Sequence, residues 1–162
     1  MERTVEIGGI KVRLRASAGT LIIYKEQFGT DYITDMGAAK ENPAALETGC
    51  RLLWSMARSA DNSIPPPEQW FEGLGSFDIE KAFCFAGKLF EESCPELSEE
   101  SSQGDPLTAE NLAASALVCG LSLEELNRIS LGMTLKIMNE YCEMKSGEEK
   151  AVPATQDDFD NF

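Results

Sequence analysis

The first part of the chain alternates apolar and polar side chains, and only Gly8 and Gly9 interrupt the alternation. The apolar positions include Ile10 next to the glycines and the residues expected to form one apolar face, namely Val5, Ile7, Val12 and Leu14. A period of two predicts β-strands, and two adjacent glycines tolerate the positive φ of a tight turn. The pattern therefore predicts a β-hairpin. Its apolar face should lie on helices, because an isolated hairpin is only marginally stable.

From Ser17 onwards the apolar spacing changes to that of helices. Ser17 predicts the N-cap of the first helix, because a serine hydroxyl accepts hydrogen bonds from free N–H groups there, and Gly29 predicts the helix end. The clearest helical stripe comprises Leu46, Cys50, Leu53 and Ala57. Its spacing predicts a helix over 43–60. Further helices are predicted over 31–39, 67–75 and 79–90.

A segment without apolar side chains, residues 98–106, separates two parts of the chain. Such a segment cannot offset its ordering entropy by burial, so we predict a flexible acidic linker over 95–106. Beyond it, three helical patterns predict a small module over 107–145, and the acidic residues 146–162 are predicted to be a disordered tail. The predicted fold class is mainly α (α+β): a short hairpin packed on a bundle of helices over 1–94, then the linker and the helical module.

Acidic residues outnumber basic ones by 28 to 14, which gives a net charge of −14. Residues 1–96 carry a net charge of −5 and residues 97–162 a net charge of −9, so the second part is the more acidic. This charge opposes binding to nucleic acid and to anionic membrane surfaces. No apolar run approaches the ~20 residues of a membrane-spanning helix, and no signal-peptide core is present. We therefore expect a soluble cytoplasmic protein.

The residues available for chemistry argue against catalysis. Histidine is absent, which removes the most common general base near neutral pH and the most common metal ligand. The five cysteines are Cys50, Cys84, Cys94, Cys119 and Cys142. They are odd in number and widely spaced, which favours buried thiols over a zinc site or a disulfide framework. We expect no enzyme activity, no cofactor and no metal site.

Apolar side chains of the C-terminal helices are the candidates for contacts with another protein. One helical face carries Leu131, Leu135, Met138 and Cys142. This face either belongs to the core or forms a groove for a partner helix, since methionine adapts to varied apolar surfaces. Three short helices make a poor core alone, which favours some exposure. The candidate partner-binding residues are Leu126, Ile129, Met133, Ile137, Met138 and Tyr141, together with Phe159 and Phe162 in the tail.

A second interpretation is a degenerate helix-turn-helix over 120–134, where two short helical patterns lie close together. A recognition helix needs basic residues to meet phosphates and bases. Here Arg128 and Lys136 are outnumbered by acidic neighbours, namely Glu124, Glu125, Glu140 and Glu143. The alternative function is a small acidic regulatory protein with a degenerate helix-turn-helix, and these acidic neighbours argue against it.

Several segments of the chain, taken in order, are similar to the motifs of one known protein family. The first similarity is a small-residue helix start at 16–20, followed by Tyr24-x3-Phe28-Gly29-x-Asp31. It continues through Ala57-Arg58-Ser59-Ala60-Asp61, Glu68-Gln69-Trp70-Phe71 and Phe77-Asp78-Ile79. Past the linker it includes Pro106-Leu107-Thr108, Gly120-Leu121-Ser122-Leu123, Leu131-Gly132-Met133 and the segment 154–162. Together these segments, which cover nearly the whole chain, resemble the tail assembly chaperones of long-tailed phages and prophages of Gram-positive bacteria.

The resemblance implies a non-catalytic assembly factor of the bacterial host cytoplasm that is absent from the mature virion. Such chaperones bind and solubilise the long, helical, aggregation-prone tape measure protein and help to recruit tail-tube subunits. The implied partners are therefore the tape measure protein and the tail-tube protein, with self-association left open and with no nucleic acid or membrane. High net charge agrees with this role, because it keeps a densely coated complex dispersed.

Overall fold

A computed structural model describes residues 1–38, 43–93 and 108–149, and it confirms the predicted mainly α fold with an N-terminal hairpin. The elements in chain order are β1 (Glu2–Ile7), β2 (Ile10–Arg15), α1 (Ala18–Phe28), α2 (Tyr32–Ala38), α3 (Pro43–Ala60), α4 (Pro67–Leu74), α5 (Ile79–Ser93), α6 (Ala109–Val118), α7 (Leu123–Arg128) and α8 (Leu131–Glu149). The predicted linker, 95–106, lies outside the described residues. The division of the chain into domains stays a prediction.

The N-terminal hairpin forms where the alternating pattern predicts it. Strands β1 and β2 pair antiparallel with Ile7 opposite Ile10, so Gly8 and Gly9 alone form the turn. Their φ angles are 58° and 77°, a region that suits glycine. The apolar residues Ile7, Val12 and Leu14 are buried and belong to the core cluster.

Helix α1 begins and ends at the predicted residues. Ser17 is the N-cap, and its N–H donates to Thr20 Oγ1 at 3.2 Å. Gly29 ends the helix with a φ of 75°, and its N–H donates to the carbonyl of Lys25 at 2.8 Å. The left-handed conformation at this position explains the glycine. Both predictions are confirmed.

Helix α3 is the central element, and the structure corrects the single apolar stripe expected for it. Residues 52–57 are all buried, so this part of the helix is covered on every side. Strand β2 and helices α1 and α5 pack around it. The predicted stripe of Leu46, Cys50, Leu53 and Ala57 accounts for only one of these packing contacts. Trp54 and Met56 fall between the stripe positions and face the other neighbours.

Helices α6 and α7 pack on α1 and share one core cluster with it. Their buried side chains are Leu112, Ala116 and Leu126. Leu131, at the start of α8, is also fully buried in this cluster. Helix α8 continues beyond Lys145, where the tail was predicted to start, and reaches Glu149. The extension contains the helix-forming Glu148 and Glu149 and no proline, and these outweigh the low helix propensity of Gly147.

Candidate functional site

Large apolar side chains are exposed mainly on the C-terminal helices. Among the described residues, the large hydrophobic side chains that are exposed are Met1, Ile10, Leu117, Val118, Leu123, Met133 and Met144. Five of these seven lie in the segment 117–144, which is a small part of the described chain. A local concentration of exposed apolar side chains is typical of a protein interaction surface. The candidate functional site therefore lies on α6–α8.

One face of α8 carries the largest part of this surface. We call Met133, Ile137, Tyr141 and Met144 the α8 stripe. The four residues are spaced at i, i+4, i+8 and i+11, which places them along one side of a helix. Met133 is 52% and Met144 70% exposed, whereas Ile137 and Tyr141 are half-buried. The ammonium group of Lys145 lies 6.0 Å from the centre of the Tyr141 ring.

The opposite face of α8 holds the helix on the protein. Leu131 and Thr134 are buried, and Leu135 and Met138 pack against the core cluster. Thr134 Oγ1 donates to the carbonyl of Ser130 at 3.2 Å, which satisfies its buried hydroxyl. Helix α8 therefore has two apolar sides, an inner one in the core and an outer one at the surface. Both sides show apolar residues three or four positions apart in the sequence, so this spacing does not tell the core side from the surface side.

A second group of exposed apolar side chains lies where α6 meets α7. We call Leu117, Val118 and Leu123 the α6–α7 corner, and they are 53%, 69% and 54% exposed. The corner is built by a sharp helix end. Gly120 has a φ of 85° and donates its N–H to the carbonyl of Leu117 at 3.0 Å. The chain then enters α7 through a capping box, in which Ser122 N–H donates to Glu125 Oε2 at 2.8 Å.

Asp31 ties the start of α6 to α1. Its Oδ1 accepts a hydrogen bond from Ala109 N–H at 2.7 Å, and its Oδ2 accepts one from Lys25 Nζ at 2.8 Å. Lys25 also lies 3.4 Å from Glu110. Partial burial opposes ionisation of Asp31, but the hydrogen bond from Ala109 and the Lys25 ammonium together hold its pKa below the usual value. The Asp31 contact therefore favours the carboxylate form.

A polar contact joins α7 to the end of α3. Ser59 Oγ donates to Asn127 Oδ1 at 2.9 Å, and the carbonyl of Ser59 accepts a hydrogen bond from Arg15 Nη1 at 2.8 Å. Asn127 also lies directly over Gly19 of α1. A Cβ at Gly19 would lie 2.1 Å from Asn127 Oδ1 and 3.0 Å from Asn127 Cα. The lack of a side chain at position 19 therefore allows the close approach of α1 and α7.

The structure brings part of the predicted partner-binding set to the surface. Met133 is exposed, and Ile129, Ile137, Met138 and Tyr141 are half-buried. Leu126 is fully buried, so a partner cannot reach its side chain unless α7 moves. The physical reason is that α7 turns Leu126 towards α1. Phe159 and Phe162 lie outside the described residues, and their role stays a prediction.

The sequence interpretation missed Leu117, Val118, Leu123 and Met144. A signal was available for Met144, which continues the helical spacing from Met133. No comparable signal marks Leu117 and Val118. Apolar periodicity assigns such residues to a core, and only the packing of α6 shows which of its faces is covered.

Neither metal-binding nor membrane-spanning features are found in the described part of the chain. Within residues 1–38, 43–93 and 108–149, no cluster of three or more potential metal-ligating side chains occurs. No described helix has the length and apolarity needed to cross a membrane. No family model, curated protein or solved structure matches this chain.

Proposed function

We propose that the protein is a non-catalytic tail assembly chaperone of a long-tailed phage or prophage. In this role it binds and solubilises the tape measure protein in the bacterial host cytoplasm, helps to recruit tail-tube subunits, and does not remain in the mature virion. The observation that carries the proposal is the exposure of apolar side chains on α6–α8. It is supported by the ordered sequence resemblance and by the acidic net charge of −14.

The α8 stripe suits a partner that presents long apolar helical faces. A helix packs on another helix through side chains three and four positions apart, which is the spacing of Met133, Ile137, Tyr141 and Met144. Two of these four residues are methionines, whose unbranched side chains adapt to many apolar surfaces. A chaperone of a long helical protein must bind many similar but unequal segments, so adaptable contacts are an advantage.

The proposal is tested by co-expression with the tape measure protein, followed by affinity purification and a solubility measurement. We expect the wild-type chain to retain the partner in the soluble fraction. Met133→Glu combined with Met144→Glu should weaken retention by about tenfold or more, because a carboxylate in an apolar contact must lose its hydration without gaining a partner. Both side chains are exposed, so the variant should remain folded.

The matched control is Ile10→Glu, which places the same charge on an exposed apolar residue of the hairpin. This variant should retain the partner as the wild type does. Equal retention by the stripe variant and the wild type would rule out the α8 stripe as the binding surface. An insoluble and unretained partner with the wild-type chain would reject the chaperone role. A shifted DNA band in low salt would instead support the regulatory alternative.

A further inference from the structure

A groove lies between the free side of β1 and helix α5, on a different part of the molecule from the α8 stripe. Its volume is about 430 Å³. The apolar lining consists of Val5, Ile7, Phe77, Ala82 and Phe85. The groove is open to solvent, and it includes two aromatic rings that a partner ring can meet. Such a lining suits an occupant with at least one large apolar or aromatic side chain.

Two lysines at the edge of the groove have no side-chain partner among the described residues. Lys81 and Lys88 both line it, and neither forms a side-chain hydrogen bond or an ion pair with any described residue. Glu6 and Asp78 line the same groove, and Asp78 Oδ1 accepts a hydrogen bond from Lys81 N–H at 3.0 Å. Two carboxylates and two ammonium groups therefore balance the charge of the groove lining, within a chain whose net charge is −14.

Strand β1 offers backbone hydrogen bonds at the same place. Met1 and Ala16 exchange hydrogen bonds in both directions at 2.8 Å, so every second residue of β1 pairs with β2. By this alternation the N–H and C=O groups of Thr4 and Glu6 point away from β2. An extended segment beside β1 can use these groups. A second copy of β1 is a poorer occupant, because antiparallel pairing centred on Thr4 sets Glu2 opposite Glu6.

The segment that follows α8 has the complementary chemistry. It contains Asp157, Asp158, Phe159 and Asp160, so carboxylates flank an aromatic ring on both sides. In an extended chain the Cα atoms of Asp157 and Asp160 would be about 10 Å apart, and Asp157 would share a face with Phe159 while Asp160 would lie on the opposite face. Lys81 and Lys88 are separated by two helical turns, about 10.5 Å along the axis. Phe85 lies between the lysines on α5, as Phe159 lies between the aspartates.

We propose that the groove between β1 and α5 binds the 157–160 segment of the same chain, with the Phe159 ring in the apolar lining and the carboxylates of this segment beside the ammonium groups of Lys81 and Lys88. The eight residues that lead from Glu149 to Asp157 span up to about 28 Å when extended. Tethering favours the contact, since it provides an effective concentration of about 1 mM. The proposal does not depend on the tail assembly role.

Cys84 provides the test, because its thiol lines the groove and is exposed, whereas the sequence pattern predicted buried thiols. We would label the full chain briefly with N-ethylmaleimide and measure each cysteine separately by peptide mass spectrometry. With an effective concentration of about 1 mM and a dissociation constant of about 0.1 mM, the segment is bound about 90% of the time, which slows labelling about tenfold. Phe159→Ala with Phe162→Ala should remove this protection of Cys84. The exposed Cys142 on α8 is the internal reference and should keep its rate.

A control variant and a dilution experiment, both measured by the labelling rate of Cys84, complete the test. The control variant, Gln156→Ala with Asn161→Ala, changes polar residues of the same segment and should leave Cys84 protected. Hundredfold dilution of the wild-type chain should also leave the protection unchanged, since the contact is intramolecular. Equal Cys84 rates in the wild type and the phenylalanine variant would overturn the proposal. Loss of protection on dilution would overturn it as well, because the occupant would then come from another copy of the chain.

Discussion

Gly19 sets the distance between α1 and α7 because it has no side chain. In an ordinary helix position, replacing glycine by alanine stabilises the helix by about 0.5–1 kcal/mol. At position 19, however, the added methyl group would meet the side chain and the Cα of Asn127. We expect Gly19→Ala to lower the free energy of unfolding by about 1–3 kcal/mol, because α7 must shift to relieve the overlap. Urea unfolding measures this change.

The matched control for this substitution is Gly87→Ala in α5. A Cβ at Gly87 would meet no atom within 4 Å, so this variant should gain the ordinary helix stabilisation of about 0.5–1 kcal/mol. If the free energy of unfolding falls in Gly19→Ala and rises in Gly87→Ala, the result supports the close contact of α1 and α7. If Gly19→Ala is as stable as Gly87→Ala, α7 does not approach α1 as closely as described.

At the level of elements, the Asp31 contact controls how α6 joins α1. The folded-state pKa of Asp31 is lowered, so its contribution to stability is fully present above the ordinary carboxyl pKa of about 4 and is lost as the pH falls through the lowered value. We expect the free energy of unfolding to fall as the pH drops below about 4. Asp31→Ala should lower stability at pH 7 by about 1.5–3 kcal/mol, because two charge-assisted hydrogen bonds are lost.

Hydrogen exchange of the α6 amides at pH 7 measures this local effect. Asp31→Asn is the control, because its amide oxygen can still accept a hydrogen bond from Ala109 while it lacks the charge that Lys25 pairs with. Its α6 amides should exchange at a rate between those of the wild type and the alanine variant. Unchanged exchange in Asp31→Ala would mean that α6 is held by Leu112 and Ala116 alone.

Local signals in the sequence predict the elements well but predict their mutual packing poorly. Gly8 with Gly9 and Ser17 with Gly29 are short-range signals, because their effect depends on the backbone conformation at those positions. The burial of Leu126 and the exposure of Leu117 depend on which helix lies opposite, and periodicity carries no such information. The groove between β1 and α5 was not predicted for the same reason, since it exists only after both elements have packed.

At the scale of the whole molecule, α1 connects the first and last parts of the described chain. One side of α1 packs on α3, and the other side packs on α6 and α7. A chain that stops at residue 97 would lack the cover that Leu112, Ala116 and Leu126 provide. We expect such a truncated protein to bind more of a hydrophobic dye and to unfold at a lower temperature than the full chain. If the truncated protein and the full chain bind the same amount of dye and unfold at the same temperature, α1 does not need α6 and α7 to cover its apolar side.

The hydrogen bond between Ser59 and Asn127 has a consequence for synthesis on the ribosome. Its two residues are 68 positions apart in the chain. At translation rates of about 5–20 residues per second, Asn127 is made about 3–14 s after Ser59. During this interval the nascent protein presents an unpaired apolar side of α1, and such surfaces are prone to aggregation and attract cellular chaperones. A protein proposed to shield another polypeptide thus passes through a stage in which it needs shielding itself.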